Sequence, residues 1–308
     1  MMRPRLVPVF GWLLALYALG CIVAGIALAE LSLRLQRLPL GDTTAYRASV
    51  HAKFGTEVED VSIAAADGAI LKAWWLLPSQ PNGKSVIVLH GVTANRTSST
   101  GFAEMFLDEG YAVLVPDSRA HGESGGDLVT YGVLERYDVK QWVEWMHQRA
   151  PGCTYLLGES MGAGIGLQTE AVATPLCAVA AEDPYARFRE IGPERVGRAT
   201  HTGPLFWQTL GRPVLEIAGG YGRLRYGLYL PDADPETAVR QSTIPTLLIT
   251  GTKDMNIPMH HAQELEQACA NHCSLWIVPG ADHGGASSVA HAEFEQRVLS
   301  WFSTHDQP

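Results

Sequence analysis

The chain has 308 residues, room for one large domain or two small ones. Hydrophobic residues make up 46% and charged residues 18%, which excludes wholesale disorder, and 31 Gly with 18 Pro exclude a collagen-like or low-complexity chain. A net charge of −9 argues against non-specific nucleic-acid binding, and five scattered Cys are too few for a disulfide scaffold or a zinc ribbon.

No charged residue occurs between Arg5 and Glu30, leaving a 24-residue apolar run over 6–29. A helix of that length reaches about 36 Å, enough to cross a hydrocarbon core of about 30 Å with some tilt. Residues 1–30 are therefore expected to be a retained signal anchor, which tethers the chain to a membrane as a single-pass protein. The alternative is a signal peptide cleaved near Ala29, since Ala27-Leu28-Ala29 has the small-x-small form. Arg3 and Arg5 before the run nearly balance Arg34 and Arg37 after it, so the positive-inside count is close to a tie. The catalytic domain is expected outside the cytoplasm, where Cys153, Cys177, Cys269 and Cys273 would be open to oxidation; buried free thiols are the other reading.

Residues 31–56 read as a juxtamembrane linker, and 57–308 as the main domain. Strand-like runs at 58–64 and 70–77 flank Asp67-Gly68, a hairpin turn signal. The run SVIVLH at 85–90 has the continuous apolar form of a strand buried on both faces. A helix is expected over 98–109, a strand over 111–116 and a helix over 131–149, where Val139, Trp142, Val143 and Met146 share one face. A strand at 154–157, a helix from Met161 and strands at 177–181 and 246–250 follow. A helix at 259–270, a strand at 275–278 and a helix at 289–302 complete the pattern. This alternation implies a mainly parallel sheet with helices on both faces and an antiparallel N-terminal hairpin. The segment at about 184–242 lacks a buried strand and reads as a cap inserted after the sixth strand. Its stretch 185–240 holds eight Arg and no Lys, interleaved with aromatic residues.

Gly158-Glu159-Ser160-Met161-Gly162 fits G-x-S-x-G, after an apolar strand and at the start of a helix. Such a turn lifts the serine hydroxyl above the sheet and aims free helix N–H groups near it. A serine needs a base, and His283 lies a few residues past the last strand. The base needs a carboxylate, and Asp254 follows the strand at 246–250; Asp183 is the runner-up, and Asp282 lies too close to His283 in sequence to curl back. The backbone N–H groups of Met161 and Val92 are the expected oxyanion donors. His90 is expected to hold its loop rather than react.

These features resemble the α/β-hydrolase superfamily over about residues 55–304, in the chain order Ser160, Asp254, His283. His90-Gly91 resembles that family's oxyanion-loop motif. Asp117-Ser118-Arg119-Ala120-His121-Gly122-Glu123-Ser124 is similar to its D-x-R-G-H-G-x-S loop, with Ala120 where glycine is usual. Together with the apolar N-terminus, the chain resembles membrane-associated bacterial serine hydrolases of the serine aminopeptidase or dienelactone hydrolase-like group. The resemblance implies the α/β-hydrolase fold and the triad but no substrate; because ester leaving groups need less protonation than amides, the expected activity is a serine hydrolase acting on a carboxylic ester or thioester through an acyl-enzyme. Amidase or aminopeptidase-type peptidase activity, and a non-catalytic binding module, are the alternatives. The substrate is expected to be a small-molecule or lipid acyl compound; no metal or organic cofactor and no nucleic acid is called for.

Overall fold

The computed structural model describes residues 6–172 and 176–306. Helix α1 spans Leu6–Leu33 and α2 Thr44–Phe54, followed by strands β1 (Val58–Ala64), β2 (Ile70–Leu76) and β3 (Ser85–Leu89). Then come α3 (Thr100–Asp108), β4 (Ala112–Pro116), α4 (Glu135–Arg149), β5 (Thr154–Glu159), α5 (Met161–Thr169) and β6 (Ala178–Glu182). Four helices separate β6 from the next strand: α6 (Phe188–Ala199), α7 (Pro204–Gln208), α8 (Arg212–Tyr226) and α9 (Pro235–Gln241). The chain ends with β7 (Thr246–Gly251), α10 (His260–Ala268), β8 (Cys273–Val278), α11 (Ala286–Val289) and α12 (His291–Thr304).

The eight strands form one sheet in the order β1-β2-β4-β3-β5-β6-β7-β8. β1 and β2 pair antiparallel, as do β2 and β4; the remaining pairs are parallel. The hairpin register brings Ala64 opposite Ile70 around the Asp67-Gly68 turn. The central strands are buried except at Glu159, the last residue of β5, as their continuous apolar runs require. Side chains of β5 alternate between two cores. Tyr155 packs with Phe302 and Phe106 on one face, while Leu156 packs with Trp142 and Ile165 on the other. Because β3, β5, β6, β7 and β8 run parallel, the loops that leave their carboxyl ends gather along one rim.

The structure departs from the sequence reading at three places. The segment 31–56 holds a helix, α2, which the sequence reading passed over as linker. Only Val50 of α2 is buried, although Tyr46 stacks on Trp74 at 5.4 Å, so the periodic signal is thin. Helix α4 starts at Glu135 rather than Tyr131, because the Glu135 carboxylate draws in the N–H groups of Thr130 and Gly132, each at 2.7 Å. The last helical stretch is divided into α11 and α12.

Two disulfides are present, Cys153–Cys177 and Cys269–Cys273. Among the described residues, one helix is long and apolar enough to cross a membrane, with its span at Phe10–Leu33.

Candidate active site

Ser160 occupies the turn between β5 and α5 at φ 55° and ψ −113°, a backbone region that costs a non-glycine residue about 1–3 kcal/mol. Its neighbours make the turn possible. A Cβ on Gly158 would come 2.4 Å from the Gly162 carbonyl oxygen, and one on Gly162 would come 2.4 Å from that of Leu89. The Ser160 N–H donates to the Glu182 carbonyl at 2.8 Å, which ties the turn to β6.

The three residues singled out in sequence meet at this rim. His283 Nε2 lies 2.8 Å from Ser160 Oγ, and His283 Nδ1 lies 2.8 Å from Asp254 Oδ2. With an ionised carboxylate at Nδ1, that nitrogen carries the proton and Nε2 accepts from the serine hydroxyl. Asp254 is itself fixed by the N–H groups of Asn256 and Ile257, which donate to its Oδ1 at 2.7 and 2.9 Å. Burial works against the ionised Asp254, but the His283 bond and these amides hold its carboxyl below the usual range. Burial likewise disfavours the imidazolium, yet the Asp254 bond and the charges of Asp254 and Asp183 raise His283 above its ordinary value.

Asp183 stands behind the imidazole, 3.8 Å from Nδ1. Its Oδ1 accepts the Gly251 N–H at 3.2 Å and its Oδ2 the Gly284 N–H at 2.7 Å, joining the end of β7 to the histidine loop. Burial and the nearby Asp254 charge push its carboxyl up to about 6. Glu182 is fully buried, and its Oε1 accepts the Ala286 N–H at 2.9 Å. Burial, with Asp183 and Glu159 nearby, pushes it up to about 8, so it stays neutral at pH 7.

Among the described residues, neither the Met161 nor the Val92 backbone N–H donates a hydrogen bond, and both residues line the cavity above Ser160. Two buried histidines brace the Val92 loop. His90 Nε2 accepts the Ser118 N–H at 3.0 Å, and His121 Nε2 accepts the Thr93 N–H at 3.2 Å. Burial lowers both from their ordinary values, His90 to about 3, so both remain neutral acceptors at physiological pH. The cavity measures about 1150 Å³, with walls from α6, α8 and the last turns of α1.

A family profile described as the alpha/beta hydrolase family matches residues 86–297. The Bacillus subtilis protein YqkD is 30% identical over 229 residues, covering 72% of this chain and 71% of its own length. The chain belongs to the alpha/beta hydrolase family. A Pyrococcus furiosus esterase has a similar structure, with a TM-score of 0.71 and 24% identity, covering 90% of this chain and 99% of that one. An esterase from Thermogutta terrifontis aligns at a TM-score of 0.57 and 19% identity, over 81% of this chain and 100% of that one. At these identities the likeness is one of fold.

The family loop at Asp117–Ser124 is structural here. Asp117 accepts from the Arg96 guanidinium at 2.6 Å and from the N–H groups of Arg96 and Glu123, each at 2.8 Å. Arg119 makes a two-pronged pair with Asp138, at 2.6 and 2.7 Å, and reaches Asp67 of the hairpin turn at 2.8 Å. Ala120 keeps the turn expected of a glycine, at φ 58°, with its methyl buried.

Among the described residues, four clusters have the composition of a cation site. Both nitrogens of His283 are bonded between Ser160 and Asp254. Cys269 and Cys273 beside His272 are joined to each other. His261 is shared by the other two, with Glu194 and His260 and with Glu190 and Glu264, and its Nδ1 accepts the Ala186 N–H at 3.4 Å.

Asp183's double bridge was visible in sequence only as a carboxylate at the right edge of the sheet. The contribution of α1 to the cavity had no local signal, because it depends on the docking of two distant segments.

Proposed function

We propose that the chain is a serine hydrolase that cleaves a carboxylic ester or thioester through an acyl-enzyme on Ser160. The observation that carries this reading is the pair of 2.8 Å contacts at the two nitrogens of one imidazole, which connect Ser160 to Asp254. Ser160 Oγ attacks the acyl carbonyl carbon as His283 Nε2 takes its proton. The carbonyl oxygen, now negative, takes hydrogen bonds from the Met161 and Val92 N–H groups; one such donor is worth roughly 10²–10³ in turnover. The imidazolium, stabilised by Asp254, gives its proton to the leaving alcohol or thiol. Water then attacks the acyl-serine with His283 again as base, releasing the acid and restoring the hydroxyl.

Esters are favoured over amides because their leaving groups need less protonation. The chain is read as anchored by α1, with the hydrolase domain on the extracytoplasmic side; the disulfides Cys153–Cys177 and Cys269–Cys273 support an oxidising compartment. The test is labelling of the full chain with a fluorophosphonate probe, alongside hydrolysis of p-nitrophenyl esters and the matching anilides. Labelling and ester turnover that vanish in Ser160→Ala support the reading. Anilide turnover exceeding ester turnover favours the amidase alternative, and no labelling of folded protein favours a binding module.

A further inference from the structure

Helix α1 has two kinds of surface. Trp12, Leu16 and Val23 are 72%, 63% and 61% exposed, as on a helix that faces lipid. Leu28, Ala29, Ser32 and Leu33 instead line the cavity that holds Ser160. A 28-residue helix is about 42 Å long against a hydrocarbon core of about 30 Å, so about eight residues are left over. The charge-free run closes at Glu30, with Arg34 a turn later, so α1 meets the boundary at its last turns, where the cavity-lining residues lie. The site therefore sits at the bilayer surface.

Helix α8 runs antiparallel along the same helix. The Tyr17 hydroxyl donates to the Leu210 carbonyl at 2.7 Å, just before α8 begins, and Glu30 accepts the Tyr221 hydroxyl at 2.7 Å near its end. Between them, a Cβ on Gly25 would come 2.6 Å from Ile217 Cγ2, the close approach by which helices pack in lipid. Tyr221 and Tyr226 donate to Glu30, Arg34 donates to Tyr226, and Arg223 and Arg225 stand in the same last turn of α8, the composition of a membrane-boundary belt. At the other end Leu205 and Leu210 are 71% and 62% exposed, level with Tyr17 and about 20 Å along α1 from Glu30. The corner between α7 and α8 thus lies beside the apolar part of α1, and Arg212 and Glu216, paired with each other at 3.4 Å, line the cavity.

We propose that α1 is a wall of the acyl-binding site as well as an anchor, and that the substrate is a long-chain acyl ester resident in the bilayer. Its chain lies along the cavity wall that the last turns of α1 and the facing residues of α8 form, and reaches Ser160 from the bilayer without crossing water. The lipid class follows from geometry: one wall of the reaction cavity is the continuation of the lipid-facing helix. This inference rests on the serine hydrolase reading above.

The experiment uses the full chain in phosphatidylcholine nanodiscs. The first readout is the ratio of kcat/KM for 4-methylumbelliferyl oleate to that for the acetate. The second is binding of a fluorescent oleoyl ester by Ser160→Ala, which does not depend on turnover. The expected result is a ratio well above one. It should fall at least tenfold in Ala29→Trp, which fills the wall, and oleoyl-ester binding should weaken in the Ser160→Ala, Ala29→Trp double variant. Leu31→Trp, at an exposed cavity-lining position, repeats the test should Ala29→Trp not fold. A wild-type preference for acetate, or a ratio and binding unmoved by both tryptophans, overturns the proposal. Absent turnover with intact, Ala29-dependent binding would instead remove the hydrolase reading and leave the lipid site standing.

Discussion

The Asp183 carboxylate accepts the N–H of Gly284, the residue after His283, at 2.7 Å, while its other oxygen accepts the N–H of Gly251 at the end of β7. One side chain thereby sets the distance between the strand that leads to Asp254 and the loop that carries the imidazole. Asp183 also adds negative charge 3.8 Å from His283 Nδ1. Asp183→Asn should lower kcat about tenfold with little change in KM, and should move the acid limb of the pH profile downward. A fall in melting temperature with the acid limb unmoved would reduce Asp183 to a structural brace. Asp254→Asn, which disrupts the partner bond itself, should cost on the order of 10³–10⁴ in kcat.

The pH dependence follows from the raised His283. Protonated His283 cannot accept the Ser160 proton, so activity is lost as pH falls through the imidazole's value. Because that value lies above 6.5, the midpoint of the acid limb of kcat/KM for a short-chain ester should lie above 6.5. Measurement from pH 5 to 9 checks this. A midpoint below 6.5 would mean that burial outweighs the two carboxylates.

Glu170 is buried between α5 and β7, where its Oε1 accepts the Thr246 hydroxyl at 2.8 Å and its Oε2 has no partner. Burial pushes it up to about 8 from an unfolded value near 4.5. The folded chain therefore keeps a proton that the unfolded chain gives up, and the stability due to this group is present below about pH 4.5 and lost as pH rises through 8. Glu170→Gln keeps the shape and abolishes the titration. Thermal melts should show the variant close to wild type at pH 5 and more stable at pH 9; equal melting temperatures at pH 9 would contradict the assignment.

The Cys153–Cys177 bridge ties the start of β5 to the residue before β6, across a sequence separation of 24. Closing a loop of that size is worth about 3 kcal/mol through the unfolded chain. Urea unfolding of the Cys153→Ser, Cys177→Ser pair should show that loss, with the fluorophosphonate label on Ser160 retained under native conditions. Unchanged stability would mean that the bridge does not form in the folded chain.

Much of the fold was legible because the signals were local and strong. The apolar runs around Val88, Leu156 and Leu248 could only be buried strands, and Gly158 and Gly162 stand where backbone atoms approach too closely for any side chain. The candidate site was legible for a different reason: in a parallel sheet every strand's carboxyl end points to the same rim, so the motif around Ser160 and the positions of Asp254 and His283 just past their strands pointed to one place, which Asp183 shared. Less legible were features created by contacts between distant segments. Helix α2 is held by Tyr46 on Trp74, and the start of α4 is set by the Glu135 carboxylate. The cavity wall at Leu28 and Ala29 exists only once α1 lies against α8. The cysteines, left open between oxidised and free thiols, pair because the fold sets the starts of β5 and β6 side by side for Cys153 and Cys177, and because Cys269 and Cys273 flank the short turn from α10 into β8.

The most direct measurement is mass-spectrometric mapping of the residue modified when folded full-length protein meets a fluorophosphonate at neutral pH. The account predicts a single phosphonylated peptide carrying Ser160, with modification slowed by several orders of magnitude in His283→Ala. Modification of another residue, or equal labelling with and without the imidazole, would contradict it.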